Sequence, residues 1–253
     1  MQNNEKIQEN MKLSIVIPVH NEEEGVLATV GGIIKELEAE KINHEIIIVD
    51  DNSSDSTPKI TDDLSARCPN VKVVHRGPPN GFGRAIQEGL RNTSGDAVGI
   101  VMGDSSDDPK DIVGCFRKIE EGYDCVFGSR FLKGSIVKDY PLVKLLINRL
   151  ANNFIRMLFL IKANDITNAF KLYRREVIRA VMPLQALYFN ITVEIPLKAL
   201  VRGFSYAQIP IRWYGRKSGV SKLGIRQMGR KYLFTVLYVW LEKLLLKDEV
   251  KRR

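Results

Sequence analysis

The sequence predicts an α/β protein whose first half is a mostly parallel central sheet covered by helices on both faces. Three observations carry this. Short apolar runs rich in Val and Ile alternate with segments of ordinary helix length up to about residue 130. Two of those helices open on a capping residue followed by proline, Thr57-Pro58 and Asp108-Pro109. The strands also end in polar clusters, as strands do where a crevice lies beyond the carboxyl edge of a parallel sheet.

The first strand, 13–19, runs into His20-Asn21-Glu22-Glu23-Glu24, and the second, 45–50, into Asp50-Asp51-Asn52-Ser53-Ser54-Asp55. Carboxylates in that place can accept hydrogen bonds from the N–H edge of a base or from ribose hydroxyls, each worth roughly 1.5–3 kcal/mol. Helix capping by Asn21 or Thr57 would account for one polar residue per strand end. It does not account for Asp50-Asp51 beside a second acid cluster. A third strand at 71–75 leads into Asn80-Gly81-Phe82-Gly83, with a further glycine at Gly89. That G-x-G-x(5)-G spacing fits a dinucleotide loop poorly. It still predicts a turn where backbone can approach a ligand closely at a helix N-terminus.

The fourth strand, 97–102, ends in Gly103-Asp104-Ser105-Ser106-Asp107-Asp108-Pro109. Carboxylates this close repel one another unless a cation or hydrogen bonds compensate. A Mg²⁺ or Mn²⁺ ion bridging a diphosphate would do so, because hard divalent ions take oxygen ligands and keep substrate phosphates in their shell. Asp104 is the first candidate ligand and Asp107 the second, Asp108 being the expected helix cap. A fifth strand follows at 124–127.

After Phe131 the character changes. Two long apolar-rich stretches, Pro141 to Ile161 and Tyr232 to Leu246, are each interrupted by charges. Neither provides the ~20 apolar residues of a membrane span. Both suit amphipathic helices that lie on a bilayer, pack on a partner subunit or close the C-terminal core.

The 253 residues, 44% hydrophobic and 27% charged, fit one large domain with an elaborated C-terminal part. Residues 1–11 are polar and predict a disordered tail with no signal peptide. The main domain is expected over 12–231, and 232–253 as a C-terminal amphipathic helix that could associate with a membrane. Cys68, Cys115 and Cys125 form no C-x-x-C pair and predict a reducing compartment; no His/Cys cluster has zinc spacing. The net charge of +8 is concentrated in a tract from Arg212 to Lys231 that contains no acid. Such a tract suits anionic lipid or a phosphorylated ligand. Nucleic acid is set aside, since no nucleic-acid module surrounds it.

Several motifs, in order, resemble inverting family 2 glycosyltransferases of the GT-A fold, in the branch similar to dolichol-phosphate or polyprenyl-phosphate mannose synthase. They are Ile15-Val16-Ile17-Pro18-x-x-Asn21-Glu22, Val49-Asp50-Asp51-Asn52-Ser53-x-Asp55-x-Thr57 and Gly81-x-Gly83-x-Ala85-x-x-x-Gly89. The Asp104 cluster, Gly128-Ser129-Arg130, Asp165-x-Thr167 and Pro210-Ile211-x(4)-Arg216-x-x-Gly219-x-Ser221-Lys222 complete the set. The resemblance implies transfer of a hexose, mannose favoured, from a nucleoside diphosphate sugar to a polyprenyl or dolichyl phosphate with inversion. GDP-mannose is the favoured donor, a UDP-sugar the other choice, and Mg²⁺ or Mn²⁺ the cofactor.

It implies nucleotide-sugar contacts from Pro18, His20, Glu22, Asp50, Asp51, Gly83 and Asp104 within 12–130, and a metal on Asp104 and Asp107. In the acceptor-binding part, 131–231, Arg216, Ser221 and Lys222 would join Arg130 on phosphate groups. Catalysis would fall to Asp104, Arg130, Arg216 and Lys222. The protein would work peripherally on the cytoplasmic face of a membrane, alone or with a small membrane subunit. Two departures stand out: the family's Asp-x-Asp with a Gln two residues on is replaced by Gly103-Asp104-Ser105-Ser106-Asp107, and its Ser-Gly-Phe by Asn168-Ala169-Phe170. Two alternatives follow. One is a saccharide acceptor in cell-surface glycan synthesis, with Asp108, Asp165 or Glu194 as general base; the other is a non-catalytic nucleotide-sugar-binding scaffold.

Overall fold

The structure, a computed structural model, describes residues 11–215 and 225–250. Its first half alternates as the sequence predicts. β1 (Leu13–Val19) is followed by α1 (Val26–Ala39), β2 (His44–Asp51) by α2 (Thr57–Arg67), β3 (Val71–Arg76) by α3 (Phe82–Arg91), and β4 (Ala97–Ile100) by α4 (Pro109–Glu120). Then come β5 (Cys125–Ser129), β6 (Ile136–Lys138), α5 (Leu142–Phe159), β7 (Lys171–Arg174) and α6 (Arg175–Val181). The chain continues through α7 (Ile191–Val201), β8 (Tyr206–Pro210), β9 (Arg212–Tyr214) and α8 (Ile225–Val250).

Seven strands form one sheet in the order β3-β2-β1-β4-β7-β5-β8, and β6 pairs with β9 in a small separate ribbon. All neighbours in the large sheet are parallel except β7, which runs antiparallel to both β4 and β5. The sequence reading contains no strand there. Lys171-Leu172-Tyr173-Arg174 is only four residues long, is charged at both ends and runs straight into a helix, so alternation has no room to show. β4 is also shorter than expected, because the Met102 N–H turns to the Asp107 carboxylate (3.2 Å).

The period-2 geometry of β2 divides the core between the two faces of the sheet. Ile46 and Ile48 pack with Val30, Ile33, Leu37, Ile112 and Phe116 from α1 and α4. Ile47 and Val49 face the other way, toward Ala85, Ile86 and Leu90 of α3 and residues of α5 to α8. Each face therefore buries its own continuous apolar layer, the arrangement that drives a layered α/β fold.

The two apolar stretches end differently. α5 buries Asn152, Ile155 and Phe159 but leaves Leu142, Leu146, Leu150, Phe154 and Met157 in solvent, Leu142 at 80% exposure. α8 begins at Ile225 rather than near Tyr232. It inserts Thr235, Val236 and Val239 into the core and exposes Phe234, Leu241 and Leu245. No helix among the described residues is long and apolar enough to cross a membrane.

Candidate active site

The carboxyl ends of β1, β2 and β4 meet at one edge of the sheet, with Val19 opposite Asp50 in the β1–β2 register. Asp50 and Asp51 are both buried there. The Asp50 carboxylate accepts from the Ser53 N–H at 3.2 Å and faces His75 Nδ1 at 3.1 Å. Asp51 pairs with the Arg76 guanidinium and accepts from the Gly81 N–H at 2.6 Å. These two acids thus order the loops that frame the crevice. His20 Nδ1 lies 2.9 Å from the Asp51 carbonyl oxygen. The Glu22 N–H donates to Thr57 Oγ1 at 2.9 Å, and Pro18 is buried in β1 opposite Val49.

The glycine turn before α3 meets backbone, where the sequence suggested a ligand. A Cβ on Gly83 would lie 2.5 Å from the Ala186 carbonyl oxygen and 2.7 Å from the Tyr188 nitrogen, and one on Gly81 2.5 Å from the Leu187 carbonyl oxygen. The space left by the missing side chains is filled by the segment after α6. That segment is held from beneath by Glu194, fully buried, which accepts from the Gln185 (2.8 Å) and Ala186 (2.7 Å) N–H groups and pairs with Lys198 at 3.0 Å.

Beyond β4 the acids crowd. Asp104 Oδ1 accepts from the Ser106 N–H at 3.1 Å. Between them Ser105 sits at φ +58° and is tied to Thr29 Oγ1 (2.8 Å) and the Gly25 carbonyl (3.2 Å), which anchors the loop to α1. Asp107 is 7% exposed. Its Oδ2 accepts from the Met102 N–H, while its Oδ1 is buried with no hydrogen-bond partner among the described residues. Burial, and then the neighbouring Asp104 charge, push the Asp107 carboxyl up to about 7. Asp108 caps α4 through the Lys110 N–H (3.0 Å).

Among the described residues no three His, Cys, Asp or Glu side chains gather into a complete metal cage. An ion that takes one or two carboxylates and completes its shell with substrate phosphates and water needs no such cage. Asp104 and Asp107, with an unsatisfied buried oxygen and only oxygen donors, fit it.

Arg130 leaves β5 and turns inward. Its guanidinium grips Asp165 at both edges, Nε to Oδ2 at 2.8 Å and Nη2 to Oδ1 at 2.7 Å, and lies 3.3 Å from the Tyr140 hydroxyl. Despite burial, the Asp165 charge and hydrogen bonds raise its pKa. It therefore enters the site already paired. Beneath it Lys171 is wholly buried and donates to the carbonyls of Ile166 (2.9 Å), Asn168 and Thr192 (3.3 Å). Its surroundings lower its pKa to about 7, mainly through burial. Arg216, Ser221 and Lys222 lie outside the described residues.

Sequence reasoning missed Arg76, Lys171 and the Asn148–Asn152–Thr167 hydrogen-bond cluster around Arg130 and Asp165. Of these only Arg76 left a local trace, as a charge directly after the third predicted strand at 71–75.

The family model described as glycosyl transferase family 2 matches residues 14–182. The chain belongs to that family. It is 30% identical over 222 residues to a polyprenol monophosphomannose synthase of Mycolicibacterium smegmatis, an alignment covering 83% of this chain and 80% of the relative. It is 32% identical over 216 residues to a dolichol-phosphate mannosyltransferase of Pyrococcus furiosus, covering 84% of this chain and 59% of that enzyme. Among solved structures, glucosyl-3-phosphoglycerate synthase of Mycobacterium tuberculosis, in complex with Mn²⁺, UDP and phosphoglyceric acid, superposes with a TM-score of 0.69 at 19% identity. That match covers 94% of this chain and 82% of the synthase. At that identity the likeness establishes the GT-A-like fold.

Proposed function

We propose that this glycosyltransferase moves a hexose, mannose before others, from a nucleoside diphosphate sugar to a polyprenyl phosphate with inversion at the anomeric carbon. GDP-mannose is the favoured donor and a UDP-sugar the alternative. The observation that carries the proposal is the Asp107 oxygen, buried without a protein partner beside Asp104, at the carboxyl end of the sheet. A diphosphate-bound cation answers that deficit. The polyprenol monophosphomannose synthase and the dolichol-phosphate mannosyltransferase, similar over most of this chain, support the lipid phosphate as acceptor.

In this scheme Asp104 and Asp107 would hold Mg²⁺ or Mn²⁺, which when bound would supply positive charge toward the leaving diphosphate. Pro18, His20, Glu22, Asp50 and Asp51 line the nucleoside end. Gly83 serves there by letting the 186–188 backbone close over the turn. Arg130, fixed by Asp165, presents positive charge behind the diphosphate. Arg216, Ser221 and Lys222 hold the acceptor phosphate or the diphosphate. An acceptor phosphate is already anionic at neutral pH, so positioning and charge neutralisation suffice without a strong base.

A saccharide hydroxyl would need a base. The carboxylates available for that work are committed: Asp108 to its helix cap, Asp165 to Arg130, Glu194 to Lys198 and two backbone N–H groups. This favours the phosphate acceptor. The exposed apolar side of α5 is flanked by exposed Arg149 and Arg156, and no acid lies between Pro141 and Ala163. Such a helix lies well on an anionic bilayer, and we place the enzyme peripherally on the cytoplasmic face.

Incubation with labelled GDP-mannose, UDP-glucose or UDP-N-acetylglucosamine, a short polyprenyl phosphate, and Mg²⁺, Mn²⁺ or EDTA tests the proposal. The expected outcome is metal-dependent label in the organic phase from GDP-mannose. Donor binding with no lipid labelled under any condition would favour the scaffold.

A further inference from the structure

The ribbon of β6 and β9 stands apart from the main sheet, and β9 is stitched to the acid loop along its whole length. The Asp108 N–H donates to the Arg212 carbonyl at 3.3 Å, Trp213 bridges Asp107 in antiparallel fashion, and the Tyr214 N–H donates to the Ser106 carbonyl at 2.9 Å. Three consecutive residues of β9 thus face the three residues that carry Asp107. One side chain fixes this register. Arg212 places Nη2 2.6 Å and Nε 3.1 Å from Asp111 Oδ1, with Nε also 3.3 Å from Asp108 Oδ2, while its own N–H donates to Asp111 Oδ2 at 2.6 Å. The planar fork of arginine can span two carboxylates on the first turn of α4 in this way; a lysine ammonium cannot reproduce the geometry.

Behind β9, Trp213 meets the Tyr140 ring edge-on at 4.8 Å, and the Tyr140 hydroxyl lies against Arg130. Ahead of it, the Gly215 N–H donates to the Lys138 carbonyl at 2.9 Å, directly before the sequence that contains Arg216, Ser221 and Lys222.

We propose that Arg212 is a positioning residue. By clamping β9 to Asp108 and Asp111 it holds the Ser106–Asp108 segment in the shape that lets Asp104 and Asp107 share one divalent cation. The proposal rests on the metal assignment made above.

The sign of one measurement separates positioning from simple charge. Removing a cation beside two carboxylates should, by Coulomb attraction alone, tighten a divalent ion. Loss of a positioning clamp should loosen it. The experiment is Mn²⁺ titration of the full chain in the presence of GDP or UDP, free Mn²⁺ being read by its electron paramagnetic resonance signal. Arg212→Gln is expected to weaken Mn²⁺ by about tenfold, the size seen when residues that orient metal ligands are lost. Arg212→Lys keeps the charge without the fork and should also bind more weakly than wild type, by a smaller factor. It remains informative if the glutamine variant folds poorly. Unchanged or tighter binding in both variants overturns the role of Arg212 and leaves the metal site standing. A wild-type chain that takes up no Mn²⁺ with either GDP or UDP, beyond what the free nucleotide binds, overturns the metal assignment, and this inference with it.

Discussion

Two carboxylates are buried at opposite edges of the same sheet, and their surroundings could hardly differ more. Glu45, at the start of β2, accepts from Ser14 Oγ (2.7 Å), from Lys12 Nζ (2.9 Å), from Lys72 Nζ (3.2 Å) and from both the N–H (2.5 Å) and hydroxyl of Ser94. Burial alone would raise its pKa, but the hydrogen bonds from Ser14, Lys12 and Ser94 outweigh that and hold it far below the usual carboxylate range. Asp107, beyond β4, has one N–H donor, an unpartnered oxygen and another carboxylate beside it. The first acid is saturated and pins strand starts together. The second is left short of positive charge where a ligand can supply it. Incomplete satisfaction of a buried group, set against full satisfaction elsewhere in one sheet, is what makes Asp107 the proposed metal ligand.

Exchanging charge at each end should break the comparison in opposite ways. Asp107→Asn removes a repulsion with Asp104 and should leave the thermal midpoint unchanged or raised, while transfer falls by more than about 100-fold, beyond the loss typical of groups that only orient ligands. A large loss of stability in that variant, read from a urea melt, would make Asp107 a structural acid like Glu45. Glu45→Ala should do the reverse. It strands the Ser94 N–H and the Ser14 hydroxyl at about 1–3 kcal/mol each, so the urea midpoint should drop sharply. The refolded fraction should keep its Michaelis constant for the donor.

How much of this was legible in the sequence follows from the range of the interactions. β1 to β5 and the crevice at their ends came from local pattern, because parallel strands buried on both faces must be apolar throughout and the acids stand where the apolar run stops. Asp104 and Asp107 could be named because repulsion among neighbours in sequence is itself local. Arg130 looked like an open phosphate contact, and its bidentate grip on Asp165 is made 35 residues away. Gly83 looked like an approach point for a ligand, and the backbone that fills it comes from 186–188. β7 and the β6–β9 ribbon are too short to carry a period. What was missed was set by tertiary partners, which a single sequence does not display.

Lys171 sharpens the comparison with the smallest expected effect. It is buried like Glu45, yet its donors meet only neutral carbonyls, those of Ile166 and Asn168 on the loop that bears Asp165 and Thr167 and that of Thr192 in α7. Burial lowers its pKa to about 7 from an ordinary value of 10.5, the Asp165 charge opposing the shift. Between those two values the unfolded chain binds more protons than the folded one, so this group makes the protein gain stability as pH rises through that window. Lys171→Met should remove that gain. The urea midpoint of wild type should therefore rise relative to the variant between pH 7 and pH 9.5, while at pH 7 the variant should lose a net of only about 1–2 kcal/mol, because no longer burying the amine offsets much of the cost of the three carbonyls left without a donor. If the two midpoints keep a constant separation across that range, carbonyl dipoles hold the ammonium charged as fully as Lys12 and Ser94 hold Glu45. In that case saturation by neutral partners suffices, and the shortage at Asp107 is a shortage of hydrogen bonds more than of charge.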